Sequence, residues 1–460
     1  MAAYDTIVVG LGAAGATAAG TLARGGRRVL ALEAAARAGG RVRTERCGDG
    51  VVELGAEWIH GQHPSRVYDL AVQNNISVIT QDLDFDVFRS DGTKKDVELI
   101  NELILFYYNV TEHQSDRNES IAEYLTRKFK KYLAENHADL LSDEEFVENF
   151  LELMNIMVNN LMASYDWNEV SAISDYVPLD GNQYTSWHRH GYKTFFEILL
   201  NTYNNGLGLP MLDIKFNTDV TSISWPRDGT GDVVVTCRGG EQYTAPNVIV
   251  TVSLGVLKER HTKLFSPPLP EDKIEAINMI SMGLLDKIVL SFDKAWWSRN
   301  MAFYWTVEDK RKLPEEDKWM AKIVDSTTPS GSSNTLTLWT CGENAKLVET
   351  LPEEVVKTKV VELLQRFMGA NVTVPQPTSM LRSTWYSNPF TRGSYSYDNL
   401  QMIQHPHIRE TLGSPLLDAA CTPRVLFAGE ATERTGYGTV HGASNSGYRE
   451  AMRLLQPSKV

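Results

Sequence analysis

The feature that most constrains how this chain folds is the run from Tyr4 to Glu33. An apolar stretch, Thr6-Ile7-Val8-Val9, breaks at Gly10-Leu11-Gly12-Ala13-Ala14-Gly15 and continues as a helix of small residues to about Leu22. A second apolar run, Val29 to Leu32, ends in the acid Glu33. Strand, turn, helix, strand and acid in this order form a βαβ nucleotide-binding unit. Gly10 serves the tight turn, Gly12 lets the backbone approach a pyrophosphate, and Gly15 lets helix and strand pack closely. Ala13 and Ala14 open the helix, whose free N–H groups and positive dipole end face the phosphates. Glu33 accepts ribose hydroxyls and repels a 2′-phosphate. The competing reading is a glycine-rich turn between two core strands; the order of the parts favours a dinucleotide site.

A chain of 460 residues has length for two to three domains. With 42% hydrophobic and 22% charged residues, it has the make-up of a globular protein with a large core. The net charge of −13 speaks against nucleic acid or an anionic membrane as partner and suits a cationic ligand or plain solubility. Cys47, Cys237, Cys341 and Cys421 are scattered without metal or disulfide spacing, so no metal site is expected. The run Ile7 to Ala23 is too short and glycine-rich to span a membrane, and no apolar tail follows the last helix. Sequons at Asn75, Asn109, Asn118 and Asn371 are no more than chance supplies, and Ser458-Lys459-Val460 is one residue from a peroxisomal address. The compartment stays open: cytoplasm is favoured, with peroxisome or secretion as alternatives.

Along the chain, Val51 to Ala56 reads as a strand and turn, and a helix follows Pro64 from Ser65 to Asn74. A strand at Ile76–Thr80 is expected to begin a hairpin turning at Asp91-Gly92. From about Asp96 to Ser164 apolar residues recur at three and four among many charges, which predicts an inserted helical layer. The β pattern resumes near Leu212 and includes the buried-type run Val248 to Val252. A helix to about Ile280, a strand Lys287–Phe292, a helix Pro352–Met368, a strand Val425–Ala428 and a last helix Ala443–Leu455 complete the pattern. The core pattern thus occurs at 1–80, about 210–265 and about 380–460, in pieces too small to fold alone.

Three separated motifs carry a resemblance. They are the fingerprint with Glu33 and Gly39-Gly40-Arg41, the run Gly55-Ala56-Glu57-Trp58-Ile59-His60-Gly61, and Phe427-Ala428-Gly429-Glu430-Ala431-Thr432 with Val440-His441-Gly442-Ala443. Together they resemble the flavin-containing amine oxidase family, and within it the spermine oxidase and N1-acetylpolyamine oxidase branch. The resemblance implies an α/β fold, with a glutathione-reductase-like FAD-binding domain and an interleaved α+β substrate-binding domain. The first would comprise 1–82, 206–280 and 380–460, and the second 83–205 and 281–379, with the helical insertion at about 96–164.

It also implies roles. FAD would lie with Gly10, Gly12, Ala13, Ala14, Gly15, Glu33, Gly40 and Arg41 at its adenosine and phosphate end and the Val220 backbone at the adenine. Gly55, Trp58 and Trp385 would lie near the ring or ribityl part, Gly429 and Glu430 at the centre, and Thr439 and Val440 at the pyrimidine edge. Lys287, by spacing alone a strand-end surface charge, resembles the family lysine that holds a water against the flavin. His60 resembles the histidine that reaches the substrate nitrogen, with a structural histidine as its competing role. Ser394 stands where monoamine oxidases carry the cysteine that bonds the flavin, so FAD is expected to be non-covalent. Tyr395 would be one aromatic wall of the substrate cage; Thr439 replaces the second, with Tyr437 nearby. Glu57 is the favoured acid for a distal ammonium, ahead of Asp82, Asp84, Asp86 and the Tyr184–His190 loop.

The reaction implied is oxidation of a polyamine (spermine, spermidine or an N1-acetylated form) with O2 as acceptor, yielding an aldehyde, a shortened amine and H2O2. The expected partners are a cationic amine and O2, without nucleic acid or membrane, in a monomer or homodimer. The rivals are an L-amino-acid oxidase, which needs an arginine clamp, and a catalytically silent flavin-binding interaction protein. Histone-lysine demethylation is less expected, because no helical domain precedes the fingerprint and no antiparallel tower interrupts the chain.

Overall fold

The computed structural model describes residues 4–81 and 84–456; Asp82 and the Ser458–Val460 terminus lie outside the described residues. Its first layer is a six-stranded sheet in the order Leu416–Leu417, Pro423–Phe427, Asn247–Val250, Thr6–Val9, Val29–Leu32, Leu212–Lys215. All neighbours run parallel except the first pair. Every residue of Thr6–Val9 is buried, as a parallel strand covered on both faces requires. Its two faces alternate as the pleat dictates. Ile7 and Val9 face a four-stranded sheet (Gln242–Ala245, Val233–Cys237, Val220–Ser224, Phe265–Ser266) through Ile223, Val233, Val235 and Phe265. Val8 packs on the helices Ala13–Arg24 and Val440–Leu455 through Ala16, Ala19, Ala443 and Ala451. Small residues let these helices touch: a Cβ on Gly447 would lie 2.0 Å from the Ala14 carbonyl oxygen, and the Thr17 and Ser444 hydroxyls pair at 2.9 Å.

The second layer is another six-stranded sheet, Ser379–Arg382, Leu285–Ser291, Thr335–Cys341, Asp325–Thr327, Asn300–Tyr304, Phe85–Arg89. Ile288, Leu290, Leu336 and Leu338 seal one face into a core with the helix Glu353–Met368. On the other face, Val289 packs on Cys47, Val52 and Leu54 of the hairpin formed by Thr44–Cys47 and Gly50–Glu53 and the residue after it. The helices Val97–Thr111, Ile121–Asn136 and Glu144–Met162 form the expected helical layer with a core of their own. A capping box between Ser120 and Glu123 starts the middle helix, and the Asp143 side chain caps the third.

Several expectations are corrected. Asp91-Gly92 does not close a hairpin: Phe85–Arg89 runs parallel to Asn300–Tyr304, and Ile79–Thr80 pairs with Thr185–Ser186. Both strands find long-range partners, which local turn chemistry does not reveal. The segment around the helix Lys193–Leu199, assigned to the substrate layer, packs Trp187, Phe195 and Leu199 into the core of the first sheet. Ser379–Arg382, which straddles the assigned boundary at 380, belongs to the second sheet. A helix at Leu254–Leu264, capped by the Ser253 hydroxyl, fills a stretch given no element in the sequence reading.

Candidate active site

The fingerprint glycines divide into two kinds. Gly10 has φ +93°, and a Cβ on Gly15 would lie 2.0 Å from the Gly10 carbonyl oxygen. A side chain on Gly12 would meet only the Gly39 oxygen, at 3.9 Å, so the protein itself gives no reason for glycine there. Gly429, at φ +146°, has nothing within 4 Å of its absent Cβ. The open space at Gly12 and Gly429 fits a cofactor chain laid against bare backbone. Glu33 is buried and accepts the Leu11 and Ala35 amides at 2.6 and 2.8 Å. Burial outweighs these amides and Arg37, and holds its pKa above the ordinary carboxylate value. Each oxygen keeps a lone pair for a ribose hydroxyl. Val220 lies near, because the Thr218 amide donates to the Glu33 carbonyl at 2.8 Å, and the strand register shifts between Val220 and Ser222.

Arg41 does not point to the adenosine end. Its Nη1 donates to Glu430 Oε1 at 2.8 Å and to the Ser394 carbonyl at 2.7 Å, tying the first and last motifs together. The other oxygen of Glu430 accepts from the Ser396 hydroxyl at 2.6 Å and the Gly438 amide at 3.0 Å. Burial would raise the Glu430 pKa, but Arg41, Ser396 and Arg409 prevail and hold it low. A buried anion fixed in this way is an organising centre rather than a proton donor. Gly55 is forced: a Cβ would lie 1.8 Å from the Arg41 oxygen and 3.1 Å from the Trp385 ring. The Ser394 hydroxyl both accepts from the Leu285 amide and donates to its carbonyl, each at 2.8 Å.

Lys287 sits where the second layer meets the end of the hairpin strand Gly50–Glu53 and the loop to Glu57. It is 3% exposed, far from the strand-end surface charge its spacing allows. Its ammonium donates to Glu57 Oε2 at 2.7 Å and the Glu53 carbonyl at 2.9 Å, and lies 4.4 Å from the Trp339 ring centroid. Glu57 is therefore corrected from distal substrate acid to counter-ion of Lys287; it is buried, and its Oε1 has no partner among the described residues. Trp339 stacks on Trp58 at 5.8 Å, and Tyr184 meets Trp58 edge-on at 5.5 Å. His60, half-buried, stands 6.3 Å from Trp58, with Nδ1 2.8 Å from the Gln183 carbonyl oxygen. Burial lowers its pKa, so the ring is neutral and Nε2 is its acceptor when Nδ1 carries the proton. His441 is also buried, with no partner at Nε2 among the described residues, and burial, together with His60, brings its pKa down to about 4.

On the remaining side, Tyr395 is half-buried and donates to the Leu161 carbonyl at 3.1 Å, adjoining Gly438. The Thr439 hydroxyl accepts the Gly442 amide at 3.0 Å and donates to the Gly436 carbonyl at 2.6 Å as cap of the last helix, just before Val440. Tyr437 is held as a support, with the Arg409 guanidinium 3.9 Å from its ring centroid and its hydroxyl 2.6 Å from Ser174. Asp84 and Asp86 pair with Arg299 toward solvent, so neither is a tunnel acid. Trp339, Arg409 and His441 were given no role from sequence. The only signal for Trp339 was its register in an alternating strand, and its partner Lys287 lies 52 positions earlier in the sequence.

Comparisons with known proteins identify the family of the chain. Residues 13–455 match the model of the family described as flavin containing amine oxidoreductase. The chain belongs to that family, and it is an FAD-dependent amine oxidase. It is 34% identical over 504 residues to the peroxisomal N(1)-acetyl-spermine/spermidine oxidase of Homo sapiens, covering 98% of this chain and 94% of that one. The Bos taurus protein of the same name is 32% identical over 496 residues, with the same coverage. A lysine-specific histone demethylase 1 homolog 2 of Oryza sativa subsp. japonica is 30% identical over 467 residues, but the match covers only 58% of that protein.

Proposed function

We propose that this amine oxidase acts on polyamines, at a site built where Lys287, Glu57, Trp339, Trp58 and His60 converge. FAD, which Gly10, Gly12, Gly15, Glu33, Gly429 and Glu430 would hold, would supply the two-electron redox chemistry that links oxidation of the amine to an imine, and so to aldehyde and shortened amine, with reduction of O2 to H2O2. The residues of the chain do the rest. His60, neutral and held by Gln183, accepts a hydrogen bond from the reacting amine, which must be uncharged to give up a hydride. Lys287, kept in place by Glu57 and Glu53, holds a water and moves its proton. Thr439 presents the N-terminus of the last helix, whose dipole favours negative charge nearby. Trp58, Trp339 and Tyr395 exclude water and offer faces to methylenes and ammonium groups.

The observation that carries the polyamine reading is the pairing of Arg41 and Arg409, the arginines tied to Glu430 and Asp398 beside the last motif. An amino-acid substrate needs a guanidinium for its carboxylate, but Arg41 is engaged by Glu430 and Arg409 by Asp398. Tyr395, beside Gly438, would supply an aromatic wall, and threonine in place of a second aromatic at Thr439 suits a flexible chain. The buried Lys287 supports catalysis over a silent flavin-binding role. The Ser394 hydroxyl, engaged by backbone, supports FAD held without a covalent bond. The reading includes a glutathione-reductase-like cofactor domain on 1–82, 206–280 and 380–460, extended to take in Lys193–Leu199, with the second sheet as substrate domain. No described helix is long and apolar enough to cross a membrane. The names of the human and bovine relatives bring the peroxisome into the proposal beside the cytoplasm, and imaging a tagged chain with a free C-terminus decides between them.

The test is spectroscopic. Anaerobic spermine, spermidine or N1-acetylspermine bleaches the flavin, and O2 restores it with formation of H2O2. Bleaching by an L-amino acid alone overturns the reading.

A further inference from the structure

Residues opposite one another on adjacent antiparallel strands point to the same face of a sheet. Lys287 stands opposite Trp339. On the next strand Ser326 opposes Leu338 and Thr327 opposes Thr337, so the same register sets Asp325 beside Trp339. Asp325 in turn opposes Ala302. Lys287, Trp339 and Asp325 therefore form one row across three neighbouring strands, on the same face as Val289, which packs on the hairpin of Thr44–Cys47 and Gly50–Glu53. At ~4.8 Å per strand, the row spans about 10 Å from the Lys287 backbone to that of Asp325. The Trp339 ring bridges it: Lys287 Nζ lies 4.4 Å from its centroid, and its indole N–H donates to Thr327, on the Asp325 side, at 3.4 Å.

Asp325 differs from the carboxylates that form ion pairs within the protein. Glu57, Glu430, Asp398 and Asp418 each meet a cation of the protein. Asp325 is half-buried, its Oδ1 is closed from solvent without a hydrogen-bond partner, and no described residue forms an ion pair with it. Burial alone pushes its pKa up to about 7. A carboxylate buried without a partner costs stability unless a cation is supplied, and no cluster of metal-ligating residues surrounds it among the described residues. A ligand ammonium answers the same need.

We propose that Asp325 binds the distal ammonium of the substrate, with the Trp339 indole lying along the intervening methylenes. This rests on the polyamine reading and adds the residue that recognises the second charge, the role that sequence had assigned to Glu57. The tryptophan face suits both methylenes and cation, and the row ends on a carboxylate without a cation of the protein beside it among the described residues.

The test compares wild type with Asp325→Asn and Asp325→Glu as FAD-loaded enzymes. Asp325→Asn is expected to raise the spermine KM about 10- to 100-fold, the range of a hydrogen bond to a charged group, while the limiting rate of anaerobic flavin reduction changes less than about threefold. Inhibition by N-propylbutylamine, which has the central amine of spermidine without its terminal ammoniums, is expected to be unchanged. Asp325→Glu, which keeps the charge, is expected to restore at least part of the affinity, setting a binding role apart from a folding defect. An unchanged spermine KM in Asp325→Asn, or equal weakening of spermine and N-propylbutylamine, overturns the inference while leaving the polyamine reading intact. Wild type that oxidises no polyamine removes that reading and this inference together.

Discussion

Lys287 and Glu57 face each other at 2.7 Å with almost no solvent between, so each is sensitive to loss of the other. Glu57→Ala strands a buried ammonium and is expected to cost about 3–5 kcal/mol in denaturant unfolding; a cost near zero would mean that the pair is open to water. Lys287→Met keeps the stem and removes the proton carrier. It is expected to slow flavin reduction, reoxidation or both in stopped flow, and unchanged half-reactions would remove Lys287 from the chemistry. Glu53 gives a prediction with a defined sign. Burial raises its pKa from 4.5 to about 8, against the Tyr192 amide, Thr44 hydroxyl and Lys287, which favour the charged form. The folded state keeps this proton after the unfolded chain releases it. The stabilisation is therefore complete below the unfolded pKa and is lost as pH rises through about 8. Across that window Glu53→Gln is expected to flatten the pH dependence of unfolding by about 1–3 kcal/mol; parallel wild-type and variant curves would contradict this.

At the scale of the element, the nucleotide turn separates folding from binding. Gly15→Ala drives a methyl into the Gly10 carbonyl and is expected to lower the melting temperature of the FAD-free protein. Gly12→Ala meets only an oxygen 3.9 Å away, so that protein is expected to melt like wild type yet bind FAD more than about tenfold more weakly. Equal FAD affinity in Gly12→Ala would mean that no cofactor passes there. This turn was legible from sequence because its strand, glycines, helix and acid are local and each has one physical purpose. The helical layer was legible for the same reason, through its periodicity. The register of the second sheet was not, since Lys287, Trp339 and Asp325 come from three separated strands and meet only through pairing. Glu57 shows the same limit: its type and motif were clear, but whether it faced substrate or lysine depended on a strand more than two hundred residues away.

At the scale of the whole molecule, two sheets woven from interleaved segments enclose one site, and Arg41 with Glu430 ties its first motif to its last across 389 positions. A ligand bound to this arrangement and not to the unfolded chain stabilises all of it by mass action. FAD at 100 times its Kd is expected to add about 2.7 kcal/mol to unfolding of the apoprotein, and no shift would mean that the two motifs do not hold one cofactor. The central claim is that the buried lysine, paired acid and tryptophan faces serve the oxidation of a chain bearing several amines. Its most direct test is anaerobic flavin reduction by spermine, spermidine, N1-acetylspermine and an L-amino acid, side by side, with the products identified. The account predicts bleaching by one or more of the polyamines, with an aminoaldehyde and a shortened amine formed, and none by the amino acid. Bleaching by the amino acid alone, or by none of the four, would contradict it.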